Sequence, residues 1–85
     1  MRYLTDEELN KAKEIRVAKR SDALKELSKI LNESLGCERV LANAGQCIKA
    51  KDCKIDITTR KDKTTGLVMI KAIDVIGDSW KTYRF

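Results

Sequence analysis

The sequence predicts a single α+β domain, in which two N-terminal helices pack on one face of a small, mostly antiparallel sheet of three to five strands. Apolar residues recur at helical spacing as far as Leu35, and strand-like alternation dominates from Cys37 onward. Gly36 stands between the two regions, where a glycine commonly ends a helix. The 85 residues therefore fit one domain, with a helical part at about 5–35 and a sheet part at about 38–85.

The first helix is predicted over residues 6–19. Thr5 and Glu8 have the spacing of a capping box, in which the hydroxyl accepts a hydrogen bond from a backbone N–H and the carboxylate reaches back to the cap. Apolar side chains then recur every third residue, at Leu9, Ala12, Ile15 and Ala18. This pattern predicts one apolar helix face directed toward the sheet.

The second helix is predicted over residues 22–35, with Ser21 and Asp22 as its N-terminal cap. Its apolar stripe has spacings of three and four residues, through Leu24, Leu27, Ile30 or Leu31, and Leu35. Serine and aspartate interrupt helices only weakly, so one long bent helix is the alternative.

The remaining chain alternates in the way that strands do. Strands are predicted at 39–42, 47–50, 53–58, 67–76 and 80–85, with turns at 43–46 and 77–79, a kink at 51–52 and a polar hairpin loop at 60–66. The segment 67–76 is apolar on both faces except at Lys71 and Asp74, which indicates an internal strand.

Composition argues against common enzyme chemistry. Histidine is absent, and with it the commonest metal ligand and general base. The spacings of Cys37, Cys47 and Cys53 lack the short cysteine pair of structural zinc sites. We expect three small, half-buried apolar side chains in a reducing cytoplasm. No apolar run is long enough to cross a membrane. We therefore predict a cytoplasmic, non-enzymatic protein with no metal and no cofactor.

Positive charge concentrates in the sheet half. The net charge is +5, and residues 37–85 contain ten basic and six acidic side chains. Basic groups hold phosphates by displacing counterions, and exposed aromatic rings stack on bases. This pattern predicts DNA or RNA binding, although interleaved acidic residues also fit an ordinary solvated surface. The candidate binding residues are Lys49, Lys51, Lys54, Arg60, Lys61, Lys63, Trp80, Lys81 and Tyr83.

The aromatic C-terminal strand supports a second hypothesis. Tyr83 and Phe85 should point to one side of the sheet and Trp80 to the other. With Arg84, these residues could dock a protein partner, including a second copy of the chain. The protein would then be a regulator or inhibitor, of the kind that viruses and mobile elements encode.

A lesser alternative is a small toxin-like ribonuclease that works without histidine. The basic and phenolic groups for it would be Arg60, Lys81, Tyr83 and Arg84, but no sequence motif accompanies them.

Overall fold

In the described residues, two helices precede a five-stranded antiparallel sheet. The structure is a computed structural model that describes residues 3–35, 39–43, 47–50 and 53–85. The elements are α1 (Asp6–Lys13), α2 (Arg20–Leu35), β1 (Arg39–Asn43), β2 (Cys47–Ala50), β3 (Lys54–Lys61), β4 (Val68–Ile76) and β5 (Trp80–Arg84). The strands lie in sequence order, β1-β2-β3-β4-β5, so each one pairs with its neighbour along the chain. The predicted α+β class is confirmed, at the upper end of the expected number of strands.

The predicted capping box is present, but the first helix is shorter than expected. The Glu8 N–H donates to Thr5 Oγ1 at 3.2 Å, and the Thr5 N–H donates to Glu8 Oε1 at 2.8 Å. The helix ends at Lys13, whereas residue 19 was predicted. Val17 instead forms an antiparallel bridge with Val68, through backbone hydrogen bonds of 3.1 and 2.7 Å. The backbone N–H and C=O of Val17 thus find hydrogen-bond partners on Val68 and not within a helix. The three-residue apolar spacing of the sequence does not reveal this long-range bridge.

Residues 6–35 form two separate helices and not one bent helix. The second helix begins at Arg20, two residues before its predicted start. Asp22 consequently lies in the first turn, where its negative charge suits the positive end of the helix dipole. The helix ends at Leu35 as predicted. The expected helix stop at Gly36, most of the expected turn at 43–46 and the kink at 51–52 lie outside the described residues.

One hydrophobic core joins the helices to one side of the sheet. Among the described residues it includes Leu24, Leu27 and Leu31 of α2 and Ile48, Ile55, Ile57, Ile70, Ile73 and Val75 of the strands. Cys47 and Cys53 are buried more completely than the half-buried positions predicted for them, and Cys37 lies outside the described residues. No helix in the described part of the chain is long and apolar enough to cross a membrane.

The strand register defines two faces of the sheet. Ile55 pairs with Val75 and Ile57 with Ile73, and these buried side chains form the face against the helices, here called the helix face. Alternate residues form the opposite side, here called the open face. The register shifts at Lys71, the extra residue of a β-bulge, so Ile70 and Ile73 are both buried although three positions apart.

Candidate nucleic-acid interface

A single row of paired residues crosses the open face from β2 to β5. Lys49 pairs with Lys54, Lys54 with Ile76, and Ile76 with Trp80. Both lysines are exposed, and they stand directly opposite each other on neighbouring strands. Like charges so placed repel each other, so a bound anion would relieve that repulsion. The row thus has two cationic groups at one end and an aromatic ring at the other.

Trp80 is the most exposed large hydrophobic side chain in the described part of the molecule, with 68% of its surface accessible. Its indole Nε1 donates to Asp74 Oδ1 at 3.3 Å, and the Thr82 hydroxyl donates to the same oxygen at 2.6 Å. These contacts hold the ring by one edge against the sheet. An aromatic ring fixed in this way, with most of its surface free, can stack on a planar group.

In the part of the chain that the structure describes, three further cations belong to the open face. Arg60 lies there on β3, with its Nε 3.4 Å from the Met69 sulfur, and Arg84 lies there on β5. Lys71 is exposed and lies between the buried Ile70 and Ile73, so the bulge carries it to this side as well. Lys71 is not among the binding residues predicted from the sequence. Its charge within an apolar strand is the one signal in the sequence. That pattern does not reveal the bulge, so the sequence does not show on which face Lys71 lies.

Among the described residues, two aspartates share the open face, and both have partners. Asp56 and Asp74 face each other across β3 and β4. Arg20 reaches from the start of α2 to Asp56, with Nη2 2.6 Å from Oδ1, and also donates to the Ile57 carbonyl at 3.3 Å. Asp74 accepts the Trp80 and Thr82 hydrogen bonds. With Arg20 balancing Asp56, the cations of the open face outnumber its remaining carboxylate among the described residues.

The structure divides the predicted nucleic-acid set between different surfaces. The open face holds Lys49, Lys54, Arg60 and Trp80, the helix face holds Lys61, Lys81 and Tyr83, and the β3–β4 hairpin loop holds Lys63. Lys51 lies outside the described residues. The nine residues therefore do not form one surface, because alternation along a strand sends neighbouring side chains to opposite faces.

Tyr83 has a structural role on the helix face. Its hydroxyl accepts a hydrogen bond from the Leu4 N–H at 3.2 Å, and its ring packs against the core. Lys81 Nζ lies 5.4 Å from the Tyr3 ring centre and 5.6 Å from that of Tyr83. Such distances are typical of cation–π contacts. Tyr83 and Trp80 therefore cannot stack on the same side of one bound strand.

The residues of the two alternative hypotheses are divided in the same way. Trp80 and Arg84 lie on the open face and Tyr83 lies on the helix face. Trp80 and Tyr83 thus point to opposite sides of the sheet, as alternation predicted. Lys13 Nζ of α1 lies 5.7 Å from the Phe85 ring, which places Phe85 beside the helices. The four ribonuclease candidates are likewise split, with Arg60 and Arg84 on one face and Lys81 and Tyr83 on the other.

The hairpin loop that follows β3 contains one titrating group with a shifted pKa. Asp62 Oδ1 accepts a hydrogen bond from the Thr64 N–H at 2.9 Å. This bond is the main reason that the pKa of Asp62 lies below its ordinary value of 3.8, with smaller contributions from Thr65 and the charge of Arg16. Asp62 therefore stays ionised and organises the loop, in the manner of an Asx turn.

Comparison of this chain with protein-family models, with curated proteins and with solved structures returns no match.

Proposed function

We propose that this protein binds nucleic acid through the open face of its sheet. The observation that carries the proposal is the row in which Lys49, Lys54 and Trp80 share one face. Cations spaced along a surface hold phosphates, and an exposed ring holds a base by stacking. The open face offers both kinds of group within one unbroken sheet, so a single ligand can contact them together.

The charges on the open face support this choice of ligand. Lys49 and Lys54 face each other, and Arg60, Lys71 and Arg84 extend the positive surface along β3, β4 and β5. The guanidinium group of Arg20 offsets Asp56, which reduces the repulsion that a phosphate would meet. The protein would act by binding and not by catalysis, with no metal or cofactor required.

Fluorescence anisotropy with labelled single- and double-stranded DNA and RNA tests the proposal. Four or five phosphate contacts predict that affinity falls about a hundredfold or more between 50 and 200 mM salt. Trp80→Ala should weaken binding by about 5- to 150-fold if the ring stacks on one base.

A charge-matched pair of double variants tests the location. Replacing Lys49 and Lys54 with Glu changes the open face, whereas replacing Lys61 and Lys63 with Glu makes the same change in net charge elsewhere. We expect the first variant to lose most of the binding and the second to lose much less. Equal losses would show attraction to net charge alone and would refute the open face as the site. No binding at 50 mM salt would remove the proposed function itself.

A further inference from the structure

β5 is an edge strand, and its outer side has no paired strand among the described residues. Within the described part of the chain, this strand pairs with β4 alone. The Phe85 N–H donates to the Lys71 carbonyl at 2.9 Å, so Phe85 points its backbone groups toward β4. Backbone direction alternates along an antiparallel strand, and the N–H and C=O groups of Trp80, Thr82 and Arg84 therefore point outward. An edge of this kind is a template for another strand.

We infer that this edge pairs with β5 of a second copy of the chain, antiparallel about a twofold axis at Thr82. Trp80 of each copy then lies opposite Arg84 of the other, and the two Thr82 residues lie opposite each other. All of these residues point their backbone groups outward, so each opposed pair exchanges two hydrogen bonds. The interface is isologous, since the same strand is used by both copies.

The side chains of β5 are complementary to themselves in this register. On the open face, the exposed Trp80 ring meets the guanidinium group of Arg84 of the second copy. On the helix face, Lys81 meets Tyr83 of the second copy, a pairing that it already makes within its own chain at 5.6 Å. Both are cation–π pairs, and cross-strand threonines also pair favourably. A register centred on Lys81 would instead oppose two lysines, which repel each other.

The helix side leaves space beside this edge. A groove of about 460 Å³ runs between α1 and β5, lined by residues that include Leu9, Asn10, Lys13, Thr82, Tyr83 and Phe85. The edge is therefore accessible beside α1. Pairing would join two five-stranded sheets into one and would add Arg84 of the second copy to the open face beside Trp80. This inference does not depend on nucleic-acid binding, and its test uses protein alone.

Analytical ultracentrifugation without nucleic acid, from about 1 µM to 1 mM protein, measures the association. We expect the mass to rise with concentration toward twice 9.7 kDa. Amide hydrogen exchange by NMR locates the contact. The N–H groups of Trp80, Thr82 and Arg84 should become protected as the dimer forms, because they donate across the interface. A chain that stays monomeric over this range, with its circular dichroism intact, would overturn the inference and leave the edge to a strand of some other protein.

Two substitutions at one exposed position separate the dimer from general effects on folding. Trp80→Glu places a carboxylate opposite Arg84 of the second copy, whereas Trp80→Lys places two cations opposite each other. We expect the dissociation constant of the dimer to be about tenfold lower for the Glu variant than for the Lys variant. Contacts within one chain favour the opposite variant, because Asp74 beside position 80 attracts Lys and repels Glu. Equal dimerisation of the two variants would refute the proposed register.

A third variant removes a backbone donor. Thr82→Pro lacks the outward N–H and should be monomeric, while the inward ladder to β4 keeps its donors. A dimer that survives this change with unaltered affinity would contradict pairing through β5. Circular dichroism shows whether Thr82→Pro folds. If it does not fold, the comparison of the two Trp80 variants still tests the proposed pairing through β5.

Discussion

Asp62 shows how a single half-buried side chain can stabilise a turn. Its carboxylate accepts the Thr64 N–H, and its own backbone carbonyl accepts the Gly66 N–H at 2.7 Å. The first contact favours the ionised form, which lowers the pKa of Asp62 below 3.8. Because the pKa of Asp62 is lower in the folded protein than in the unfolded chain, its ionisation stabilises the fold at pH values above 3.8. That stability is lost as the pH falls through the folded-state pKa.

We therefore expect Asp62→Ala to be less stable than the natural protein at pH 6, with the difference shrinking as the pH falls through the pKa of Asp62. Urea denaturation at pH 6 and pH 3, followed by circular dichroism, measures both values. Asp62→Asn is the matched control, because its amide oxygen can still accept the Thr64 N–H but cannot titrate. If the deficit of Asp62→Ala stays the same at both pH values, the carboxylate does not stabilise the loop through its charge.

At the scale of elements, the β3–β4 hairpin closes through a residue in the left-handed region. Gly66 has φ of +74°, and a Cβ added there would meet no atom within 4 Å. Any cost of a substitution must therefore come from the backbone conformation and not from a clash. The Leu67 carbonyl accepts the Asp62 N–H at 2.7 Å just beyond this residue, so the conformation at Gly66 directs the chain into β4.

Gly66→Ala should accordingly lower the free energy of unfolding by about 1–2 kcal/mol. Gly66→Asn should cost less, because asparagine enters the left-handed region more readily than alanine. Urea denaturation of the two variants beside the natural protein gives the comparison. Equal stability of the alanine variant and the natural protein would show that the loop relaxes to a different turn.

The two ends of α1 differ in whether the sequence could predict them. The start of α1 at Asp6 depends on Thr5 and Glu8, which contact each other locally, and it was predicted correctly. Its end at Lys13 was not, because the bridge between Val17 and Val68 joins residues far apart in the sequence. Periodicity continues past the real end of the helix, since Ile15 is buried by the same core from outside it.

At the scale of the whole molecule, one core links the helices to the sheet. Leu27 of α2 is fully buried in the cluster that also contains Ile55 and Ile73 of the central strands. Removing its side chain from this cluster leaves a cavity that the sheet and the helix both border. A single cooperative unit of this size should unfold without a populated intermediate.

We expect Leu27→Ala to destabilise the protein by about 2–5 kcal/mol. The helical signal in far-ultraviolet circular dichroism and the sheet amides in NMR should shift to the same lower denaturant midpoint. Lys25→Ala, an exposed change on the same helix, is the control and should stay within about 0.5 kcal/mol of the natural protein. Separate midpoints for helix and sheet would show two cooperative units instead of one.

The candidate site was predictable in its chemistry but only partly in its membership. Lys49, Lys54, Arg60 and Trp80 were all named from charge and aromatic content, and the structure places them on one face. Lys71 was missed because a bulge turns it to that face. The contribution of Arg20 was also missed, because its contact with Asp56 joins residues 36 positions apart.

The amino-acid sequence was enough to predict two helices followed by three to five strands, the capping box, and the opposite directions of Trp80 and Tyr83. These features depend on neighbours within a few residues, so periodicity and spacing reveal them. Three outcomes follow only from the three-dimensional fold: α1 ends at Lys13, both Lys61 and Lys81 lie on the helix face, and Lys71 lies on the open face. Those outcomes depend on strand register, on a bulge and on distant backbone pairing. The pairing of whole strands determines them, and no local pattern encodes it.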